Sequence, residues 1–249
     1  MKSKKQKNSI VNYNYRICTF IFHMIKLSKY LLLIVLTMSL SSCFELIEDT
    51  TLHADGSGSY KLTLNLSSST TRINSIMAMD TIDGKKVPSR QELKTKMQEY
   101  ISMLNSKEGI SNAEGSLNTE NWIIKLDLNF ASLAHLKAGL IDLSKDINQH
   151  ETSEEVNQLK LSYANGVYQR ELGAFIPEKW KKEVKSDEDF SRLKEGKCIF
   201  IQRFDQEVAE VSSTNARISK SKKAVMLQLS PLEIVNNPQK IDYSIKTVH

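Results

Sequence analysis

Cysteine, proline and glycine are all scarce in this chain, which holds 3, 4 and 9 of them in 249 residues. So little glycine and proline excludes a collagen-like repeat and a low-complexity tract, and so little cysteine excludes a small disulfide-stapled scaffold. Nor is there an apolar run of the ~20 residues needed to cross ~30 Å of hydrocarbon. What is present, 40% apolar and 25% charged residues, is the composition of a globular protein rather than a disordered one. A chain of this length buries about 70% of its unfolded surface.

Excess charge of one sign is confined to the beginning. The net charge is +5, but residues 1–42 contain seven bases (Lys2, Lys4, Lys5, Lys7, Arg16, Lys26 and Lys29) and no acid. The remaining 27 bases face all 29 acids, a net of −2. A basic protein is drawn to nucleic acid or anionic lipid; here the body is close to neutral, and no nucleic-acid partner is expected.

The first 42 residues have the parts of an export signal. Lys26 and Lys29 precede the run Tyr30-Leu-Leu-Leu-Ile-Val-Leu-Thr-Met-Ser-Leu40, which ends in the small residues Ser41 and Ser42. A basic flank, a short apolar stretch and small residues before a cut are the elements of a cleaved signal peptide. The other apolar stretch, Ile17 to Ile25, is separated from this run by the two lysines. Met24 alone opens a signal of ordinary proportions, so translation is expected to begin there or residues 1–23 to be dispensable. A membrane-tethered protein that keeps its leader is the competing reading.

Leu40-Ser41-Ser42-Cys43 resembles the bacterial lipobox. That resemblance implies cleavage between Ser42 and Cys43, a diacylglycerol on the Cys43 sulfur, often an acyl group on the new amine, and hence a palmitate-type anchor in the cell envelope. Each buried CH₂ contributes about 0.8 kcal/mol; one chain holds marginally and two or more hold stably. In many proteobacterial lipoproteins an Asp directly after the Cys retains the protein at the inner membrane, and Phe44 departs from that pattern. Glu45, Glu48 and Asp49 resemble, loosely, the surface-export signals of Bacteroidota lipoproteins. An outer-membrane location is therefore expected.

Residues 43–249 read as one α+β domain. Tyr60, Leu62, Leu64 and Leu66 alternate with polar residues, the period of a half-buried strand. Asp55-Gly56 before them predicts a hairpin over 45–53 and 58–67. Trp122, Ile124, Leu126, Leu128 and Phe130 form a second one-sided strand, and Leu159, Leu161 and Tyr163 a third that turns at Asn165-Gly166 into Val167-Tyr168. Fainter patterns predict strands at 198–204, 223–229 and 240–247.

Helices supply the cover. Ser89-Arg90-Gln91-Glu92 predicts a capping box, followed by Leu93, Met97, Tyr100, Ile101 and Leu104 at helical spacing. Leu133, Leu136, Leu140, Leu143 and Ile147 form an amphipathic stripe. Shorter helices are expected at 69–79, 178–185 and 187–195. The fold expected is a mostly antiparallel sheet with amphipathic helices on one face; the polar run His150 to Glu155 is the one place where it could divide. A Cys anchor followed by Asp55-Gly-Ser-Gly-Ser-Tyr-Lys-Leu-Thr-Leu-Asn-Leu-Ser67 resembles a group of Bacteroidota envelope lipoproteins and the LppM-type lipoprotein domain. Phe204 to Val211 and Ala224 to Val235 have the rhythm of that group's closing strands. The resemblance implies envelope location and fold, and carries no catalytic residue.

Catalytic and cofactor patterns are missing. No Gly-x-Ser-x-Gly, phosphate loop, His-Glu-x-x-His or dinucleotide fingerprint occurs. His53, His135, His150 and His249 stand at no metal-ligand spacing, so no metal and no cofactor is expected. Cys198, beside Ile199 and Phe200, reads as a buried small hydrophobe rather than a nucleophile. Asp55 to Ser59 has one acid where a calcium loop needs several. Glu154-Glu155 and Asp187-Glu188-Asp189 read as solvated acids. Lys179, Lys181, Lys182 and Lys185 around Trp180, and Lys220, Lys222 and Lys223, read as solvated faces, with lipid headgroups or an acidic glycan as the alternative contact. Trp122 and Trp180 read as core. The function expected is that of a non-catalytic, lipid-anchored envelope protein, with the membrane and an envelope protein or glycan as partners. A surface or periplasmic hydrolase whose site converges only in three dimensions is the alternative.

Overall fold

The computed structural model describes residues 44–82, 84–147, 159–173, 181–182, 185 and 193–248. Leu40, Ser41, Ser42 and Cys43 therefore lie outside the described residues, as do His150, Glu154, Glu155, Trp180, Asp187 to Asp189 and His249, with most of the short helices expected at 178–185 and 187–195.

The two alternating runs near the start form the predicted hairpin. Strands β1 (Glu45–Leu52) and β2 (Gly58–Asn65) pair antiparallel from Glu45 opposite Asn65 to Leu52 opposite Gly58. After β2 the chain makes an excursion: a short 3₁₀ turn, helix α1 (Thr70–Met77) and the two-residue strands β3 (Thr81–Ile82) and β4 (Lys85–Lys86). Helix α2 (Arg90–Asn105) then starts at the expected capping box, with Ser89 Oγ accepting from the Glu92 amide and the Glu92 carboxylate accepting from the Ser89 amide. Strands β5 (Ile110–Asn118) and β6 (Ile123–Phe130) and helix α3 (Leu133–Ile147) follow.

The remainder is mostly β. The hairpin β7 (Lys160–Ala164) and β8 (Val167–Glu171) turns at Asn165-Gly166, both with positive φ, 51° and 71°, as a two-residue hairpin turn requires. Then come β9 (Lys197–Phe204), β10 (Val208–Val211), β11 (Ala216–Ile218), β12 (Ala224–Leu229), helix α4 (Pro231–Asn236) and β13 (Tyr243–Thr247). The last strand is shorter than the expected 240–247, because Pro238 opens a 3₁₀ turn over Pro238–Ile241.

One sheet has the order β11-β12-β9-β1-β2-β6-β5, and a second has the order β10-β13-β8-β7. The fold is α+β with a mostly antiparallel main sheet, as expected. One pairing differs: β1 and β9 run parallel, Glu45 beside Lys197 through Leu52 beside Phe204. The cover also differs in part. Helices α2 and α3 cover the β5–β6 half of the sheet, where Gly115 admits Met97 and Ile101 of α2 at a distance a side chain would block. The second sheet shares the same core, contributing Tyr168, Tyr243 and Ile245 beside Tyr60, Leu128, Phe200, Phe204 and Leu227. Helical stripes advertise themselves by period; that a hairpin at 160–171 would pack on another sheet does not show in its own alternation.

Trp122, expected at the start of a strand, lies outside it. It has φ 54° and lies in the β5–β6 turn, one residue before β6 begins, yet it is buried as expected. Its indole N–H donates to Asn74 Oδ1 at 3.0 Å, and the Arg90 guanidinium lies 5.2 Å from its ring centroid.

Candidate functional site

Phe44, the residue after Cys43, is already part of the fold. Its carbonyl accepts from the Lys197 amide at 2.9 Å, and its ring lies 3.2 Å from where a side chain on Gly196 would begin. Only Phe44 separates Cys43 from β1.

The described histidines stay apart. His53, beside the first hairpin turn, places Nδ1 3.1 Å from a carboxylate oxygen of Asp205, and both side chains are about half exposed. His135 on α3 approaches Ser132 Oγ at 2.9 Å and packs over Gly109. Among the described residues no three His, Cys, Asp or Glu side chains are grouped to hold a metal ion. The Asp55 loop closes on itself: Asp55 accepts from the Ser57 hydroxyl at 2.7 Å and its amide at 3.0 Å, and these bonds hold its carboxyl below the usual value. Cys198 is a free thiol facing the core from β9, and burial pushes its pKa up to about 11. A thiolate nucleophile needs the opposite shift. Lys220, Lys222 and Lys223 form the β11–β12 turn, where the Lys222 and Lys223 carbonyls accept from the Val208 and Phe204 amides.

The sequence reading missed a charged cluster between the two sheets. Glu48 projects inward from β1 and Arg170 inward from β8, and they form a two-pronged ion pair at 2.5 and 3.1 Å. Their side chains are only 13% and 3% exposed. The Arg170 guanidinium lies 4.6 Å from the Phe200 ring centroid. Burial opposes its charge, but the Glu48 carboxylate, with Tyr243 and Tyr168, outweighs that and holds its pKa well above the usual value. Burial likewise drives the Tyr60 and Tyr168 hydroxyls well above their ordinary range, and Tyr243 up to about 12. Arg170 Nε, both polar ends of Gln202 and the Tyr243 hydroxyl lack a protein partner; the last two face each other outside hydrogen-bond geometry. The signal was present in the sequence: a charged residue at an inward position of each alternating strand, Glu48 between Leu46 and Thr50, Arg170 after Tyr168.

Two surface grooves lie among the described residues. One, of about 860 Å³, lies between α2 and the excursion and is lined by Met77, Met79, Lys86, Pro88, Glu92 and Thr95 among others. Lys86 bonds Glu92 at 2.8 Å there, and that contact with the Ser89 cap holds the Glu92 carboxyl down to about 2. The other, about 380 Å³, lies between α2 and α3, where Lys107 meets Asp142 at 2.6 Å and Lys96 meets Glu99 at 2.5 Å. The lining of neither groove includes a His or a Cys. Among the described residues, no helix is long and apolar enough to cross a membrane.

No protein-family model and no curated protein matches the chain. Among solved structures it is similar to the NMR structure of the folded domain of the Mycobacterium tuberculosis LppM protein, at 12% identity and a TM-score of 0.39. That similarity covers 83% of this chain and 91% of the LppM domain.

Proposed function

We propose that this protein is a non-catalytic lipoprotein of the bacterial outer membrane, anchored through Cys43, whose α+β domain holds an envelope protein or glycan. The observation that carries this reading is Leu40-Ser41-Ser42-Cys43, at the end of a short apolar run and one residue ahead of Phe44–β1. The ionisable groups of the core support the non-catalytic part. Cys198 and the tyrosines are pushed away from neutrality, whereas acid–base catalysis works best with a pKa near the operating pH.

Metabolic labelling with palmitate tests the anchor. The wild type takes up label and fractionates with outer membranes, while Cys43→Ala takes up none and loses its membrane residence. An unchanged distribution of Cys43→Ala overturns the anchor. Crosslinking in intact cells then identifies the partner, and turnover of a hydrolase substrate by the purified protein would instead favour an enzyme.

A further inference from the structure

The anchor has no spacer. One residue spans at most ~3.5 Å, so the start of β1 stands within about 7 Å of an acylated Cys43. Phe44 is bonded to Lys197 and is not free to extend that reach. The end of the main sheet where β1 begins must therefore lie against the headgroups.

That end carries the excursion between β2 and α2. Its root is opposite β1: Asn65 pairs with Glu45, and the Leu66 amide donates to the Trp122 carbonyl at 3.0 Å. Asn74 of α1 accepts from both the Trp122 indole and Arg90, which also binds the Thr119 carbonyl of the β5–β6 turn. The Val87 amide closes the excursion on the Asp80 carbonyl at 3.0 Å. Met79 and Ile82 stand out from it, 51% and 42% exposed. Ile218 and Val248, the other large exposed apolar side chains among the described residues, belong to β11 and to the chain after β13. Over residues 66–88 the bases Arg72, Lys85 and Lys86 face Asp80 and Asp83, a net of +1. The apolar side chains, rather than charge, must therefore supply the contact.

We infer that this end of the domain docks on the membrane surface, with Met79 and Ile82 seated among the lipid headgroups. The inference rests on acylation of Cys43. The far end provides the control: β1 runs eight residues, about 25 Å at ~3.3 Å each. Beside its end, the Phe204 amide bonds the Lys223 carbonyl of the β11–β12 turn.

The test uses the mature acylated protein in vesicles of phosphatidylethanolamine and phosphatidylglycerol. Met79→Cys, Ile82→Cys and Lys220→Cys variants each carry an environment-sensitive fluorophore; the native thiol Cys198 is buried and stays unlabelled. The expected result is a blue shift at 79 and 82, with quenching by headgroup-spin-labelled lipid several-fold stronger than at 220. Co-flotation with vesicles but equal quenching at all three positions overturns the contact and leaves the anchor standing. A blue shift without lipid quenching assigns the patch to a second copy or another protein, which also overturns it. Failure to co-float overturns the anchor and the contact together.

Discussion

Glu48 and Asp49 are neighbours on β1, and each forms a two-pronged ion pair with an arginine, yet they lie on opposite faces of the sheet. Glu48 and Arg170 are enclosed between the sheets, whereas Asp49 meets Arg203 on the open face at 2.8 and 2.9 Å with the Arg203 side chain half exposed. Similar geometry has different consequences. An exposed pair contributes about 0–1 kcal/mol because water and salt screen it. Removing one partner of a buried pair costs about 3–5 kcal/mol because the other charge is left stranded. The inner face ties two sheets together; the outer face contributes charge pairs of small individual value.

The largest effect expected is therefore from Arg170→Met, a loss of about 3–5 kcal/mol by urea denaturation. Glu48→Leu combined with Arg170→Met is expected to recover most of it, since an apolar pair of similar volume leaves no buried charge. If the double variant is as unstable as the single one, the stranded-charge explanation fails.

Next is the alkaline limit. Cys198, at about 11 against an ordinary 9.0, stays protonated in the fold while the unfolded thiol ionises. The folded state then binds more protons than the unfolded one, so stability falls as pH rises from about 9 towards 11, by at most about 1.4 kcal/mol per unit. Tyr243 acts in the same direction above pH 10. Cys198→Ala is expected to flatten the lower part of this decline, as measured by denaturation midpoints at pH 8, 9 and 10.

A smaller effect belongs to the cap of α4, where Ser230 Oγ accepts from the Glu233 amide and the Glu233 carboxylate accepts from the Ser230 amide. Ser230→Ala is expected to cost about 1 kcal/mol. The Ser230 amide and Lys240 lower the Glu233 pKa, so that group's contribution is present above about pH 4.5 and lost as pH falls below it. The smallest effect is on the open face: Arg203→Ala is expected to change stability by about 0–1 kcal/mol, and salt is expected to shrink the difference further.

Legibility followed local period. Strand β2, hairpin β7–β8 and helices α2 and α3 could be read because one face of each is apolar at a regular interval. Strand β5 (Ile-Ser-Asn-Ala-Glu-Gly-Ser-Leu-Asn) could not, being an edge strand with polar residues on both faces and a shift of register between Ser111 and Glu114. Trp122 continues the β6 alternation on paper, but its turn conformation reaches the core by another route.

The sequence alone determined the short apolar run that ends in Leu40-Ser41-Ser42-Cys43 and the amphipathic elements, because each depends on residues close together in the chain. Tertiary structure alone decided that β9 lies parallel to β1 some 150 residues away, and that Glu48 meets Arg170 at a separation of 122. It also decided that the excursion bearing Met79 and Ile82 is rooted at the end of the sheet where β1 begins. Such pairings are chosen by the burial of whole faces, and no short stretch of sequence contains both partners.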